Sequence, residues 1–207
     1  MPAHEMQIFT IGHSTHSLTS FIELLRRAGI SAIADVRSTP YSRHQPHFNR
    51  EALRSSLKDA EISYAFLGHE LGGRGVGPSV RDQHGRVRYD RIARLDLFRE
   101  GLKRLQEGTQ RMPIAIMCTE GEPLNCHRAI LISRHLAEDG MEVTHIHSDG
   151  NFEFHRDAEN RLLRITGLHQ PEIFRTRREI LQEAYQRQEE RIAYVAPRTE
   201  SHESVLS

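Results

Sequence analysis

The chain has 207 residues, of which 37% are hydrophobic and 27% are charged. That length suits one domain with a sizeable core, and the apolar fraction is too high for a wholly disordered chain. No apolar run reaches the length of about eighteen residues that a membrane-spanning helix needs, and the N-terminus lacks the basic start and apolar middle of a signal peptide. The composition therefore predicts a globular protein of the cytoplasm.

Basic and acidic residues are equal in number, 28 of each, but they are unevenly distributed. Residues 37–94 contain eleven basic and six acidic residues, and most of the basic ones are arginines. A basic segment suits nucleic acid, although the sequence has no recognisable helix-turn-helix, zinc-finger or RNA-binding motif. The two cysteines, Cys118 and Cys126, are too few for a disulfide framework, which leaves roles as thiols, ligands or catalytic groups.

The first forty residues predict a strand, a helix and a second strand. "IFTIGHS" (8–14) is a short apolar run that ends in polar residues. In the next segment apolar residues recur at helical spacing, with Ser17 as the predicted N-cap and Gly29 as the residue that ends the helix. The apolar run "SAIADVRS" is the second predicted strand.

Residues 49–107 predict two helices separated by a strand and a long loop. A helix from Asn49 to Ala60 is followed by the strand "ISYAFLG". The segment "HELGGRGVGPSVRDQHGRV" is rich in glycine and predicts a loop. Asp90 then caps a predicted helix that runs to Glu107.

The segment with both cysteines predicts a strand, a polar loop and a helix. "MPIAIMC" is a strongly apolar strand that ends at Cys118. Asn125 caps the predicted helix "CHRAILISRHLAEDG", and "MEVTHIHS" supplies a fifth strand. The alternation of strands and helices predicts an α/β fold: a mainly parallel open sheet of five strands, with helices on both faces.

Beyond Gly150 the pattern changes. "FEFHRDAENRLLRI" predicts a hairpin around "DAEN", and the sequence from Gln170 to Val195 predicts a long charged helix. The chain is therefore divided into an α/β domain (6–170), a C-terminal helical extension (171–195) and a disordered tail (196–207). The charges of the long helix are typical of a solvated face, so the sequence leaves the oligomeric state open.

Open parallel sheets bind ligands beyond the carboxyl ends of their strands, where loops and helix N-termini converge. At these ends the sequence has residues suited to acid–base chemistry and to anion binding. The candidate catalytic residues are Cys126, His127, Glu120 and His13. The candidate substrate-binding residues are Gly12, Ser14, Asp35, Arg37, Glu70, Arg74 and Arg128.

Cys126 is the candidate nucleophile because it follows the predicted cap of a helix. Free backbone N–H groups and the helix dipole favour a thiolate at such a position. Arg128 suits an anion at the same helix end, and His127 suits a base, an acid or a ligand. Cys118 is either a small core residue or the partner of Cys126 in a redox pair or a metal site, although C-x7-C is not a usual zinc-knuckle spacing.

Four motifs follow one another along the chain: "TIGHS", "DVRSTPYSRHQPHF", "LGHELGGR" and "MCTEGEPLNCHR". Together they resemble the domain of unknown function 488 family, over residues 8–147. The resemblance implies a cytoplasmic α/β domain found mainly in prokaryotes. It implies no activity, because the family is named for the lack of one.

The leading hypothesis is an enzyme, a hydrolase or transferase, that uses the Cys126 thiolate on an anionic small molecule or nucleotide. The alternatives are a nucleic-acid-binding protein that uses residues 37–94, a two-cysteine redox switch, and a metal site at Cys118 and Cys126. No cofactor is required by the sequence, a metal is an open question, and no membrane partner is expected.

Overall fold

The computed structural model describes residues 7–170 and 172–197. The predicted tail therefore lies outside the described residues, apart from Ala196 and Pro197. The fold is built on a single sheet, whose strands are β1 (Gln7–Gly12), β2 (Ala32–Asp35), β3 (Ser63–Phe66), β4 (Ile114–Cys118), β5 (Glu142–Ile146) and β6 (Phe152–Phe154).

The six strands lie in the order β3-β2-β4-β1-β5-β6. The first five are parallel to one another, and β6 is antiparallel to β5. The predicted open, mainly parallel α/β sheet is confirmed, with one more strand than expected. Since β4 lies between β1 and β2, the ends of these three strands meet at one edge of the sheet, where ligands bind in folds of this class.

Helices cover both faces of the sheet, as predicted. They are α1 (Leu18–Arg27), α2 (Arg50–Asp59), α3 (Gly68–Leu71), α4 (Tyr89–Ile92), α5 (Asp96–Thr109), α6 (Arg134–Glu138), α7 (His155–Ile165) and α8 (Arg177–Ile192). The apolar residues of α1 and α2 pack in one buried cluster with Ile33 and Met117. The apolar residues of α5 to α8 pack in a larger cluster with Ile114 and Ile116. Strand residues alternate between these two cores, as the pleat requires.

The ends of α1 are where the sequence predicts them. Ser17 Oγ accepts a hydrogen bond from the backbone N–H of Ser20 at 3.1 Å, which satisfies one of the free donors at the helix start. Gly29 follows the helix with φ of 66°, a conformation that costs other residues more. Local sequence therefore predicts both ends of this helix.

Three local predictions are wrong. The segment around "DAEN" is not a hairpin but α7, because Ala158, Leu162 and Leu163 recur at helical spacing and are buried. The residues "HEL" are not in a loop but in α3, because Leu71 is fully buried and packs against Gly101 of α5. The helix predicted from Asp90 is two helices, since the backbone is extended at Leu95.

Most of the charged segment predicted as a helix from Gln170 to Val195 forms α8, but the helix begins only at Arg177, where Thr176 caps it. Its start has a capping box, in which the Thr176 hydroxyl and the Glu179 carboxylate each accept a hydrogen bond from the other residue's backbone N–H. Ile180, Ala184 and Tyr185 are buried in the larger core, so α8 packs on the same body as the sheet. In the ranges that the structure describes, no helix is both long and apolar enough to cross a membrane.

The loop that follows β4 crosses the end of β1 at very short range. The pairing of the two strands continues past their ends, since the N–H of Ser14 donates to the carbonyl of Thr119 at 2.8 Å. A Cβ atom on Gly12 would lie 1.8 Å from the carbonyl oxygen of Glu120. Only glycine allows the loop to pass here, which explains the glycine of "TIGHS".

We expect Gly12→Ala to lower the free energy of unfolding by about 1–3 kcal/mol, the usual range for overpacking. The matched control is Gly121→Ala at the same crossing, where the nearest atom to the new Cβ would be the hydroxyl oxygen of Ser14, at 3.2 Å. Urea unfolding of both variants would measure the difference. Equal midpoints would show that the crossing relaxes without cost.

Candidate functional site

A cavity of about 290 Å³ opens at the carboxyl ends of β2 and β4. Its wall combines five parts of the chain: the segment after β2, the "LGGR" segment, the first residue of α4, the cysteine segment after β4, and the residues at the end of α8. Polar and charged side chains dominate the lining, which includes Arg37, Ser38, Thr39, Arg74, Tyr89, Thr119, Glu120, Asn125 and Tyr194. A cavity rich in hydrogen-bond donors suits an anion.

Both cysteines face this cavity, and their positions follow from the course of the chain. Cys118 is the last residue of β4. A short 3-10 turn, Pro123–Asn125, leads to Cys126, and a π-helical turn, Arg128–Ser133, continues into α6. A π-helical turn within a helix frequently accompanies a functional site.

Cys126, not Asn125, has the capping position of this helix. Its carbonyl accepts hydrogen bonds from the N–H groups of Ala129 and Ile130, both at 3.1 Å, and its Sγ accepts from Arg128 N at 3.5 Å. The Asn125 side chain instead accepts a hydrogen bond from Gln188 of α8 at 3.2 Å. The predicted Asn125 cap is therefore wrong, and the correction puts the Cys126 sulfur directly at the helix start.

Cys118 Sγ, Cys126 Sγ and His127 Nδ1 form a compact group, here called the thiol cluster, in which every pair of atoms lies within 4.8 Å. His127 Nδ1 is 3.7 Å from Cys118 Sγ and 3.8 Å from Cys126 Sγ. Its Nε2 is 3.2 Å from the carbonyl oxygen of Val36, which can only accept. When the ring is neutral, its hydrogen is therefore on Nε2, and Nδ1, which faces both sulfurs, is placed to take a thiol proton and then to donate it in a hydrogen bond to the thiolate.

The two thiols have pKa values that move in opposite directions. Burial by itself would raise the pKa of Cys126, but the hydrogen bond from Cys118 and the nearby Arg128 and His127 hold it well below its usual range. The hydrogen bond to Cys126, together with burial, raises the pKa of Cys118 well above its usual range. The pair thus favours one thiolate, on Cys126, which the Cys118 thiol stabilises as a donor.

Arg128 is completely buried beside the cavity and fixes the loop between the cysteines. Its guanidinium donates to the carbonyl oxygens of Glu120 and Gly121, the second at 2.9 Å, and to Thr10 Oγ1 at 3.4 Å. Three of its five N–H groups are therefore engaged by the protein itself. Its charge acts on Cys126 through space, while its hydrogen bonds hold the backbone.

Arg37 lines the cavity at the end of β2, and Asp35 and His13 fix the orientation of its side chain. Its guanidinium makes a two-pronged ion pair with Asp35, with distances of 2.9 and 2.6 Å, and Tyr64 donates to the same carboxylate at 2.7 Å. His13 Nε2 lies 3.3 Å from Arg37 Nη1. Burial and the charge of Arg37 lower the pKa of His13 to about 4, so this ring is neutral and accepts from the arginine.

The "LGGR" motif brings Arg74 to the cavity beside the segment after β2, where its backbone N–H donates to Ser38 Oγ at 3.1 Å. A Cβ atom on Gly73 would lie 2.6 Å from the His127 ring, so the glycine lets the backbone pass directly against the histidine. Arg74 then lies over the ring of Tyr194, with its guanidinium carbon 4.6 Å from the ring centre, a cation–π contact. Its side chain is exposed, which leaves it free to approach a ligand.

The structure brings together about half of the residues predicted for the site. Those that line the cavity are Cys118, Cys126, His127, Glu120, Arg37 and Arg74. Gly12, His13, Ser14, Asp35 and Arg128 lie just behind this lining, as positions that shape the crossing or hold the arginines. Glu70 is elsewhere: it pairs with Arg104 of α5.

Sequence reasoning missed two tyrosines of the lining. Tyr89 is buried, and burial together with the nearby Cys126 raises the pKa of its hydroxyl, so it is a neutral donor. Tyr194 comes from the end of the chain and is placed by a backbone hydrogen bond from Val87 N–H to its carbonyl at 2.9 Å. No local signal in the sequence marks either residue, because each contact joins segments that are distant in sequence, Tyr89 with Cys126 and Val87 with Tyr194.

Three arginines of residues 37–94 pair with acidic side chains. Arg37 is buried with Asp35, Arg88 pairs with Glu189 of α8 at 3.1 Å, and Arg94 pairs with Asp90 at 3.4 Å. Nucleic-acid binding through this segment stays a prediction from charge alone.

Comparison with protein-family models gives a match over residues 17–135, which is more than half of the chain, to the family described as "Domain of unknown function DUF488". The matched region contains β2 to β4, the "LGGR" motif and both cysteines. Comparisons with curated proteins and with solved structures gave no significant match. The resemblance seen in the sequence motifs is thus confirmed, and the chain belongs to the DUF488 family.

Proposed function

We propose that the protein is an enzyme, a hydrolase or transferase, that acts on an anionic small molecule or nucleotide through the thiolate of Cys126. The observation that carries the proposal is the thiol cluster at a cavity with two arginines in its lining. A sulfur at a helix start, beside a buried guanidinium and a histidine lone pair, has the surroundings of an activated nucleophile.

In the proposed reaction the Cys126 sulfur attacks an electrophilic centre of the substrate, and the leaving group departs with the electron pair of the broken bond. Water or a second substrate then displaces the cysteine, which regenerates the thiolate. Arg37 and Arg74 bind the charge of the substrate. His127 Nδ1 takes the thiol proton, and Glu120 supplies a second acid or base at the cavity edge. His13 is assigned to orient Arg37.

A metal site is the second candidate, and the tautomer of His127 favours it. Metal-bound histidines commonly donate their other ring N–H to a carbonyl or carboxylate, as Nε2 does here to Val36. Two cysteine sulfurs and one imidazole nitrogen are typical ligands of Zn²⁺, with a fourth position left for water or substrate. The same two sulfurs also underlie the third interpretation, a reversible disulfide, which would require them to approach to about 2.0 Å.

The thiolate proposal predicts the pH dependence of alkylation. Because the Cys126 pKa lies below its usual range, its thiolate persists as the pH falls, and reaction with iodoacetamide should have a midpoint well below about 8.5. In Cys118→Ala the midpoint should rise, since the hydrogen-bond donor to the thiolate is lost. In the control Cys126→Ser, Cys118 should be labelled with a higher midpoint than Cys126 in the wild type, because burial still raises the Cys118 pKa after the hydrogen bond to Cys126 is lost. A wild-type midpoint near 8.5 would contradict the proposal.

The metal alternative predicts stoichiometric binding of Zn²⁺ that depends on the cluster. We expect the wild type to retain about one equivalent after dialysis against metal-free buffer, and Co²⁺ to give a sulfur-to-metal charge-transfer band. Cys126→Ser should lose both signals. His69→Ala is the matched control, because His69 is exposed and lies outside the cavity lining. Equal metal content in the wild type and Cys126→Ser would dismiss the metal site.

A further inference from the structure

A continuous row of polar side chains crosses the core on the side of α7 and α8. It begins at Thr10, which pairs with His145 across β1 and β5, and it ends at Glu159 of α7. Successive distances are 2.7 Å from Thr10 Oγ1 to His145 Nδ1, 2.9 Å from His145 Nε2 to His155 Nδ1, 2.9 Å from His155 Nε2 to the Tyr185 hydroxyl, and 3.0 Å from that hydroxyl to Glu159. Here it is called the buried chain.

With Glu159 ionised, the buried chain has only one consistent direction. Tyr185 has a single proton and donates it to the Glu159 carboxylate, which is an acceptor when ionised. Burial raises the pKa of the Glu159 carboxyl, and the Tyr185 hydroxyl and Arg177, 3.9 Å away, act against that rise by stabilising the carboxylate. The tyrosine oxygen must then accept from His155, and His155 Nδ1 must accept from His145.

The same reasoning continues to Arg128. With its proton on Nε2, His145 accepts at Nδ1 from the Thr10 hydroxyl, and the Thr10 oxygen accepts from Arg128 Nε. Both histidines are neutral, since burial lowers the pKa of His155 to about 4 and that of His145 well below its usual range. Every donor therefore points from the arginine towards the glutamate.

The direction of these hydrogen bonds also rules out the transfer of a proton along the buried chain from Glu159 to Arg128. Reversing it would require Arg128 to accept a proton from Thr10, and a guanidinium has no acceptor. The hydrogen-bond dipoles are instead aligned between the positive Arg128 and the negative Glu159. The buried chain therefore holds these two side chains in fixed orientations.

We propose that the buried chain is a positioning device, through which Glu159 and Tyr185 set the tautomers of two histidines and hold Arg128 in the orientation that fixes the loop of residues 119–121. That loop carries Thr119 and Glu120, which line the cavity. The inference therefore links Glu159 of α7 and Tyr185 of α8 to the candidate site. It depends on hydrogen-bond geometry and not on the reaction assigned to Cys126.

The first test compares two matched substitutions, Thr10→Val and Thr144→Val. Both threonines are buried in neighbouring strands, but Thr144 Oγ1 has no hydrogen-bond partner among the described residues. In Thr10→Val, the Nε–H of Arg128 should exchange with water about tenfold faster, as expected for the loss of a charge-assisted hydrogen bond. NMR would follow this proton, and amide exchange would follow residues 119–121. Wild-type rates in Thr10→Val would overturn the proposal.

The second test substitutes residues at the Glu159 end of the buried chain, away from the residues that line the cavity. Ring ¹⁵N shifts should show His145 and His155 protonated on Nε2 in the wild type and in Thr144→Val. Tyr185→Phe removes the group that enforces this direction, so His155 should become a mixture of tautomers, and Glu159→Gln should act in the same sense. A wild-type His155 protonated on Nδ1, or unchanged tautomers in Tyr185→Phe, would overturn the proposal. The ring ¹⁵N shifts also test the proposal if Thr10→Val fails to fold.

Discussion

The buried guanidinium of Arg128 is the constraint on which the rest of the site depends. A charge without solvent is costly unless hydrogen bonds surround it, and here the acceptors are two carbonyl oxygens and one threonine hydroxyl. The carbonyls belong to the loop between the cysteines, so the loop must fold around the arginine. Once it does, the two sulfurs, eight positions apart in sequence, face the same nitrogen of His127. The buried charge of Arg128 thus determines the path of the loop between the cysteines and lowers the pKa of Cys126.

Two glycines make this arrangement sterically possible. At Gly12 the loop after β4 passes over the end of β1, and at Gly73 the "LGGR" segment passes against the His127 ring. In each case a side chain would occupy space already filled by backbone or by the ring. Neither glycine has a chemical function itself. The motifs "TIGHS" and "LGGR" contain them because the backbone at each position lies so close to a neighbouring segment of the chain.

Much of the sheet could be predicted from the sequence, because each strand is an apolar run that ends in polar residues. Cys126 at a helix start also followed from local sequence, although the cap was assigned to Asn125. The remaining features depend on contacts between distant segments. Arg128 looks like an anion ligand in the sequence, and only the fold shows that it points into the core. The "DAEN" segment looks like a turn, and its apolar residues identify it as a helix only once they pack on the sheet.

The number of negative charges that the thiol cluster can hold separates its two candidate functions. With Arg128 and His127 beside Cys126, the cluster favours one thiolate, and the second thiol stays protonated as its hydrogen-bond donor. A nucleophile needs that state, because a lone thiolate with an open cavity in front of it is free to attack. A divalent metal ion adds two positive charges, favours two thiolates and uses the lone pair of His127 for coordination. The same geometry therefore supports nucleophilic chemistry when it holds one negative charge, and metal chemistry when it holds two.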